Sequence, residues 1–303
     1  TLALAKQLRQ TGYGNDIICG GVYASFNAEH ILQESQGQVN AVLTGEADSS
    51  LIEYLDGKSL KAIPGARWLA GGLVTGNERA IGPQFLDTLP FPNRNNISAV
   101  INNKTPSHVS GSRGCYGNCD FCTVACFQRL STDKRWRGRS PENMVRELKE
   151  LQNRGETMVK FVDDNFFSGR DKTRELNFAK LAVENKLNIR FRLSLRANDV
   201  DDTVIKALKK AGLFAVSCGV ESFVSRKLKD WKKGATDGQN HQAIDILAAN
   251  GIFVQMGHIM FDPFINKQEI ETELEGLKKT EWAVTKGICT QLFAADGTPI
   301  TER

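Results

Sequence analysis

The sequence predicts an α/β fold in which a partial (β/α)6 barrel follows part of a doubly wound parallel sheet. Apolar segments of strand length alternate with amphipathic helical segments, and several of these strands end in glycine-rich turns. No apolar run approaches the ~18 residues of a membrane span. We therefore assign residues 1–90 to a first domain, 91–106 to a linker rich in Pro and Asn, and 107–303 to the barrel.

The first domain is predicted from two strands that end in glycine. Its elements are strands at 16–19 and 39–43 and helices at 28–34 and 50–55. The strands run into Gly20-Gly21 and into Gly45-Glu46. Ligands of parallel sheets bind beyond the carboxyl ends of the strands, so we expect these two loops to face any ligand of this domain.

The barrel is predicted from six strand-like segments separated by helices. The segments are 108–111, 158–162, 189–195, 214–220, 253–260 and 287–293. The first helix between them is the best marked, with Ser140 as N-cap, Pro141 at the first helical position and Gly155 as its stop. Six β/α units form a barrel shorter than the complete eight, and its chemistry belongs at the carboxyl ends of the strands.

Composition sets further limits on the class of protein. The 303 residues are 41% hydrophobic and 24% charged, which excludes disordered, collagen-like and small disulfide-scaffold classes. A net charge of +4 is too small to indicate a nucleic-acid partner. Seven scattered cysteines make a poor disulfide framework and predict reduced, cytoplasmic thiols. Among them Cys19, Cys218 and Cys289 are expected to be small buried residues on strands.

The two ends of the sequence also carry an expectation. The chain begins in the middle of a helical pattern without a Met, and it ends at Arg303 without an obvious terminus. We therefore expect it to be part of a longer protein.

Three cysteines follow the first barrel strand on a glycine-rich loop. Cys115, Cys119 and Cys122 have the spacing C-x3-C-x2-C. Three thiolates suit a [4Fe-4S] cluster in which one iron stays open to another ligand. The alternatives are a zinc site completed by Cys126 and a set of unrelated reduced thiols.

The cysteine motif resembles the signature of the radical S-adenosylmethionine (SAM) superfamily, C-x3-C-x-aromatic-C, with Phe121 in the aromatic position. The resemblance extends over residues 104–300. It implies that Cys115, Cys119 and Cys122 hold the cluster and that SAM chelates the fourth iron. An electron from a reductase such as flavodoxin or ferredoxin would then cleave SAM and release a 5'-deoxyadenosyl radical. Cys126 lies outside the signature.

Other strand ends match the SAM-binding positions of the family. They are Asp163, Asp164 and Asn165 after the second strand, Ser194 and Arg196 on the third, and Glu221 on the fourth. Carboxylates and an amide suit the amino group of SAM, and a guanidinium suits its carboxylate. The Asp-Asp-Asn sequence departs from the Gly-Gly-Glu of many members. For the charged residues, a strand-end charge that meets solvent is the alternative. His258, near the expected adenine position, has a hydrogen-bonded core histidine as its alternative.

The first domain resembles the second half of the cobalamin-binding domain that is fused to many radical SAM proteins. This implies corrin contacts from the two glycine loops, namely Gly20, Gly21, Val22, Tyr23, Gly45 and Glu46. The first half of such a domain is absent from the sequence. No Asp-x-His-x-x-Gly occurs either, so no histidine is expected as a lower axial ligand. A flavodoxin-like layer that binds another cofactor, or none, is the alternative.

Together these resemblances predict a cytoplasmic, cobalamin-dependent radical SAM methyltransferase that acts on an unactivated carbon or a phosphinate phosphorus of a small molecule or peptide. The first alternative is a cyclase, oxidoreductase or rearrangement enzyme of the same subfamily. A tRNA methylthiotransferase is disfavoured, because those enzymes carry three further cluster cysteines and only Cys19 precedes Cys115 here. The basic run 129–139 is expected to be a loop with solvated or paired charges. The non-enzyme alternative is a structural zinc protein.

Overall fold

The structure is a computed structural model in which residues 2–94, 106–280, 283–285 and 289–302 are described. It divides into two compact units, each built from separate stretches of the chain. The first unit comprises Thr1–Gln84, Phe121–Arg135 and Ala294–Arg303, and the second comprises Phe85–Asp120 and Trp136–Phe293. Most of the predicted linker lies outside the described residues.

The first unit is built around a small sheet of order β1-β2-β3-β4. Its strands are β1 (Ile18–Gly20), β2 (Ala41–Leu43), β3 (Ala66–Ala70) and β4 (Leu73–Gly76). The pair β1–β2 is parallel, as predicted, and an antiparallel hairpin of β3 and β4 extends it. Its helices are α1 (Leu2–Gln10), α2 (Val22–Phe26), α3 (Ala28–Glu34), α4 (Asp48–Leu55) and α5 (Thr123–Arg129). Ile31, Leu32 and Val42 form the centre of its core.

The second unit contains a six-stranded parallel sheet, which confirms the predicted α/β partial barrel. The strands are β5 (Ser107–Val109), β8 (Met158–Phe161), β9 (Arg190–Arg196), β10 (Leu213–Glu221), β11 (Phe253–His258) and β12 (Val284–Thr285). They follow one another across the sheet in chain order. A separate antiparallel pair, β6 (Ser112–Gly114) and β7 (Trp136–Gly138), occurs between β5 and β8 in the sequence.

The helices of the second unit alternate with these strands. They are α6 (Pro141–Asn153), α7 (Thr173–Glu184), α8 (Asp202–Lys210), α9 (Ser225–Asp230), α10 (Asp237–Ala249) and α11 (Lys267–Lys279). The predicted cap of α6 is confirmed, because the Ser140 hydroxyl accepts a hydrogen bond from the Asn143 N–H at 3.1 Å. Edge-to-face contacts among Phe161, Phe166, Phe178 and Phe191 fill the core under the sheet.

The sixth strand and Cys289 differ from the sequence prediction. The sixth strand lies at Val284–Thr285, whereas the segment predicted at 287–293 falls partly outside the described residues. Its described part forms one parallel bridge, between Gln291 and Phe261. Cys19 and Cys218 are buried on strands, but Cys289 is exposed, so that part of the prediction is wrong. Among the described residues, no helix combines the length and apolar character needed to cross a membrane.

Candidate functional site

Polar side chains gather where the parallel strands of the second unit end. This is the place that the sequence predicted for the chemistry, and it follows from the common direction of the strands. The residues concerned are Ser112 after β5, Asp163, Asp164 and Asn165 after β8, Ser194, Arg196 and Asp199 at and after β9, Glu221 at the end of β10, and His258 at the end of β11.

The cysteine loop leaves β6 at Gly114, whose φ of 84° suits glycine. Cys115 is half-buried and Cys119 is buried, and both are free thiols of the second unit. The Gly117 N–H points back at the Cys115 sulfur at 3.3 Å. Burial raises the pKa of Cys115, and this hydrogen bond and the charges of Arg196 and Lys233 oppose the rise. Phe121 and Cys122 follow the loop and belong to the first unit. Cys122 is the N-cap residue of α5.

Arg196, at the end of β9, contacts the cysteine loop. Its Nη1 donates to the Cys119 sulfur at 3.3 Å, and its Nη2 donates to the Lys233 carbonyl. The guanidinium also lies over the Tyr116 ring, 5.4 Å from the centroid. The alternative of a solvent-facing charge is therefore wrong for this residue, which is buried.

Asp163 accepts hydrogen bonds from the residues at the start of the same loop. Its Oδ1 accepts from the Ser112 hydroxyl at 2.5 Å, and its Oδ2 accepts from the Gly111 N–H at 3.2 Å. Burial raises the pKa of Asp163 to about 6, despite the opposing hydrogen bonds. Its neighbour Asp164 is exposed, so the two carboxylates predicted together have different surroundings.

Asn165 and Asp199 connect the ends of β8 and β9. The Asn165 side-chain amide donates to Asp199 at 3.1 Å, and Asp199 also accepts from the Tyr116 hydroxyl at 2.7 Å and from Lys172 at 2.9 Å. The Oδ1 atom of Asn165 is buried and has no hydrogen-bond partner among the described residues. A buried acceptor without a donor is a place where a ligand N–H fits. Ser194 lies half-buried on β9, and its carbonyl accepts from the Phe166 N–H at 3.0 Å.

Glu221 ends β10 in a left-handed conformation, with a φ of 70°. Its carboxylate pairs with Lys233 at 3.0 Å, and the Lys233 side chain is almost fully buried. Gly219 makes room for this pair, because a Cβ there would lie 2.8 Å from both Glu221 Oε1 and Lys233 Nζ. A non-glycine residue with positive φ at a strand end is typical of functional sites.

His258 is a hydrogen-bonded core histidine, the alternative considered for it. Its Nε2 lies 3.0 Å from Glu273, and both side chains are buried. Glu273 also accepts from Lys227 at 2.7 Å and from the Ser222 hydroxyl. This buried group joins the ends of β10 and β11 to α11.

The two glycine loops of the first unit have different surroundings. Beside Gly21, whose φ is 88°, a Cβ would have no atom of the described residues within 4 Å, and the following Val22 and Tyr23 are exposed. The other loop is covered by residues 130–131: a Cβ on Gly45 would lie 2.1 Å from the Ser131 hydroxyl oxygen. That hydroxyl accepts from the Glu46 N–H at 2.6 Å. The Gly20-Gly21 loop is therefore the more open of the two.

The donor sets fit the cofactors that the sequence motifs imply. The sulfur atoms of Cys115 and Cys119 each accept an N–H donor, as thiolate ligands of iron–sulfur clusters do. The unpaired oxygen of Asn165 fits the amino group of SAM. Open space beside Gly21 and the exposed Tyr23 ring suit a flat macrocycle. Among the described residues, no three His, Cys, Asp or Glu side chains are grouped closely enough for a single metal ion.

Four contributors to this region were not predicted from the sequence: Ser112, Tyr116, Asp199 and Lys233. Asp199 had a usable signal, because it follows a strand end as Asp163 does. Tyr116 lies inside the cysteine motif, between two positions that were assigned. Lys233 lies on the segment after α9, and no local pattern links it to Glu221.

The basic run contains charges that are paired inside the protein. Arg137 and Arg139 are buried, and Arg139 bonds to Glu147 at 2.5 Å and to Asn143 at 2.6 Å. This supports the interpretation of that stretch as a structural segment with paired charges.

Comparisons with known proteins agree with this description. An uncharacterized methyltransferase of Pyrococcus horikoshii is 28% identical over 287 residues, covering 92% of this chain and 60% of that protein. The anaerobic magnesium-protoporphyrin IX monomethyl ester cyclase of Rubrivivax gelatinosus is 24% identical over 287 residues, covering 86% and 48%. The chain therefore spans about half to three fifths of the length of these relatives.

The fold also matches a solved structure. The cobalamin-dependent SAM radical enzyme OxsB, with aqua-cobalamin and SAM bound, superposes with a TM-score of 0.81 and 20% identity, covering 99% of this chain and 49% of that one. The model of the Radical SAM superfamily matches residues 109–276, which include the cysteine motif and the strand ends described above. The chain therefore belongs to the radical SAM superfamily.

Proposed function

We propose that this chain is the cobalamin- and SAM-binding part of a radical SAM methyltransferase. The observation that carries the proposal is the cysteine loop after β6, in which the sulfur atoms of Cys115 and Cys119 accept hydrogen bonds beside the carboxyl ends of the barrel strands. The methyltransferase of P. horikoshii and the cobalamin-dependent fold neighbour support the subfamily.

In this proposal the chain's residues divide into three binding sets. Cys115, Cys119 and Cys122 hold the [4Fe-4S] cluster. SAM is contacted by Phe121, Asp164, Asn165, Ser194, Arg196 and Glu221, while Asp163 positions the start of the cysteine loop. Cobalamin is contacted by Gly20, Gly21, Val22, Tyr23, Gly45 and Glu46. When bound, the cluster supplies an electron for the cleavage of SAM, SAM supplies a 5'-deoxyadenosyl radical that abstracts hydrogen, and cobalamin supplies a methyl carrier.

The contacts distinguish the tasks of four residues near the proposed SAM site. The free Oδ1 of Asn165 accepts from the amino group of SAM, and the exposed Asp164 carboxylate supplies a second acceptor. Asp163 uses both oxygens within the protein, so it acts by fixing the start of the cysteine loop. Glu221, held by Lys233, accepts from a hydroxyl or amino group of SAM. The electron donor is a reductase of the flavodoxin or ferredoxin class.

The second candidate function is radical chemistry without methyl transfer. The similarity to the Rubrivivax gelatinosus cyclase favours it, because that relative matches nearly as much of the chain as the methyltransferase does. A cyclase and a methyltransferase of this family differ in the products formed from SAM.

Product analysis of the full-length protein separates the two. The protein is reduced anaerobically with SAM and cobalamin, and 5'-deoxyadenosine and S-adenosylhomocysteine are quantified. Formation of both supports methyl transfer, whereas 5'-deoxyadenosine alone supports the second candidate. Absence of both products from a preparation that carries an intact cluster contradicts both functions.

The ligand assignment has a separate test with a matched control. Cys119→Ala should abolish the visible absorbance of the iron–sulfur cluster, because it removes a thiolate ligand. Cys126→Ala, on α5, should leave the absorbance unchanged. The opposite pattern would refute the assignment.

A further inference from the structure

We propose that Arg196 raises the reduction potential of the iron–sulfur site by a charge-assisted hydrogen bond to the Cys119 sulfur, in addition to its contact with SAM. The inference rests on the proposed function, because it takes Cys119 to be a cluster ligand. It assigns Arg196 a role in electron transfer that is separate from SAM binding.

The contact is direct and buried. Arg196 Nη1 lies 3.3 Å from the Cys119 sulfur, and the two residues are only 6% and 7% exposed. The Arg196 side chain ends in a guanidinium, which does not lose its proton in proteins. The guanidinium therefore stays charged where it meets the sulfur.

Neighbouring groups hold the guanidinium in place. Nη2 donates to the Lys233 carbonyl, Nε donates to Asn198 Oδ1 at 3.3 Å, and the plane lies over the Tyr116 ring. An arginine fixed on three sides loses little further freedom when it bonds the sulfur. Its position therefore does not depend on SAM.

The cysteine loop provides the space for this contact. Gly117 lies between the two cysteines, and a Cβ there would come within 2.3 Å of Arg196 Nη1 and 2.9 Å of its Cζ. Any larger residue at 117 must displace the guanidinium from the loop. The glycine and the arginine therefore form one arrangement.

The physical consequence concerns the charge that reduction adds. Hydrogen bonds to cluster sulfurs and nearby positive charge are among the factors that set iron–sulfur potentials. A donor in a buried site stabilises the more negative, reduced state more than the oxidised state, because little water screens it. Arg196 should therefore make the site easier to reduce by one electron from the low-potential flavoprotein or ferredoxin class of donor.

The test is a redox titration of the full-length protein with its cluster reconstituted anaerobically, followed by electron paramagnetic resonance in the absence of SAM and cobalamin. Without SAM, a role in SAM binding cannot contribute. Arg196→Gln should shift the midpoint potential to more negative values, and Arg196→Lys should give a smaller shift. Gly117→Ala, which keeps the charge but displaces it, should also shift the potential negatively.

Arg192→Gln is the matched control, because it removes one positive charge from the same strand and the same face. Arg192 donates hydrogen bonds to Ser217 and Gln255 and does not contact the cysteine loop. The midpoint potential of the Arg192→Gln protein should therefore equal that of the wild type. If Arg196→Gln does not retain a cluster, Arg196→Lys and Gly117→Ala decide the question.

An unchanged midpoint potential in the Arg196 and Gly117 variants would overturn the inference. If the Arg196 variants lose SAM affinity while the midpoint potential stays the same, Arg196 acts as a SAM ligand alone. A wild-type protein that assembles no [4Fe-4S] cluster would instead overturn the proposed function itself. The two failures are therefore distinguished by the wild-type spectrum.

Discussion

At the scale of single residues, burial separates side chains that look equivalent in the sequence. Asp163 and Asp164 are adjacent carboxylates after β8, yet one is buried against Ser112 and the other is exposed. Burial disfavours the charged form of Asp163 more than its hydrogen bonds and the nearby Arg174 favour it, and this raises the pKa of Asp163 to about 6.

This pKa predicts a pH-dependent cost in folding stability. Because the pKa is raised in the folded state, the protonated Asp163 contributes to the free energy of unfolding fully below about pH 4, and this contribution is lost as the pH rises through 6. The free energy of unfolding of the wild type relative to Asp163→Asn should therefore fall by about 2 kcal/mol between pH 4 and 7. Urea unfolding of both proteins at several pH values measures the difference.

The neighbouring residue provides the control for this prediction. Asp164→Asn changes an exposed carboxyl group and should alter unfolding by about 0.5 kcal/mol or less at each pH. A constant difference between the wild type and Asp163→Asn from pH 4 to 7 would show that Asp163 titrates normally.

The positions of these residues could be predicted from the sequence, but their partners could not. The resemblance to the radical SAM family selected Asp163, Asn165, Arg196 and Glu221 at predicted strand ends, and all four lie at such ends in the structure. The resemblance does not give side-chain direction. The contact of Arg196 with Cys119 depends on a residue 77 positions away along the chain, which no local pattern encodes.

At the scale of elements, a buried ion pair joins the ends of β10 and β11 to helices α9 and α11. Lys227 donates to Glu273 at 2.7 Å and to the carbonyls of Ile259 and Met260 at 2.7 and 2.8 Å. Burial raises the pKa of Glu273, but hydrogen bonds from His258, Lys227 and Ser222 outweigh it and hold the pKa below its usual value.

Breaking this pair should destabilise the second unit strongly. Glu273→Gln leaves the ammonium of Lys227 buried without its counter-charge, which costs about 3–5 kcal/mol in the free energy of unfolding. Chemical denaturation measures the loss. Glu271→Gln, an exposed position on the same helix, should cost about 0.5 kcal/mol or less. Equal effects of the two substitutions would show that the buried pair adds nothing.

Elements with strong local signals were predicted well, and those that depend on pairing were not. Helix α3 has the predicted bounds, and α6 begins after the predicted Ser140 cap. The β3–β4 hairpin was not predicted, although Gly71-Gly72 between two apolar runs is a hairpin signal. The sixth strand was misplaced because its pairing with β11 decides where it begins.

At the scale of the whole molecule, the chain passes from the second unit to the first and back. Residues 121–135 lie within the barrel segment of the sequence but pack in the first unit. There, Ser131 accepts from the Glu46 N–H at 2.6 Å and from the Gly82 N–H at 2.9 Å, and Arg79 pairs with Asp133. A division of the chain at residue 106 separates these partners.

A fragment comprising residues 107–303 should therefore expose the 121–135 segment. Its partners in residues 1–84 are absent, so the segment loses the bonds that hold Ser131. Trypsin should cleave after Arg129 and Arg135 roughly tenfold faster in the fragment than in the intact chain, as expected for loss of local protection. Mass spectrometry of timed digests measures both rates.

Cleavage within α8 is the internal reference for that comparison. Lys206 and Lys209 lie on α8, in a stretch of the second unit that the fragment retains. Their cleavage rates should change much less than those of Arg129 and Arg135. Equal protection of the 121–135 segment in both proteins would favour the simpler division at residues 90–107. Selective cleavage there would show that the stretch directly after the cysteine motif depends on the first unit for its fold.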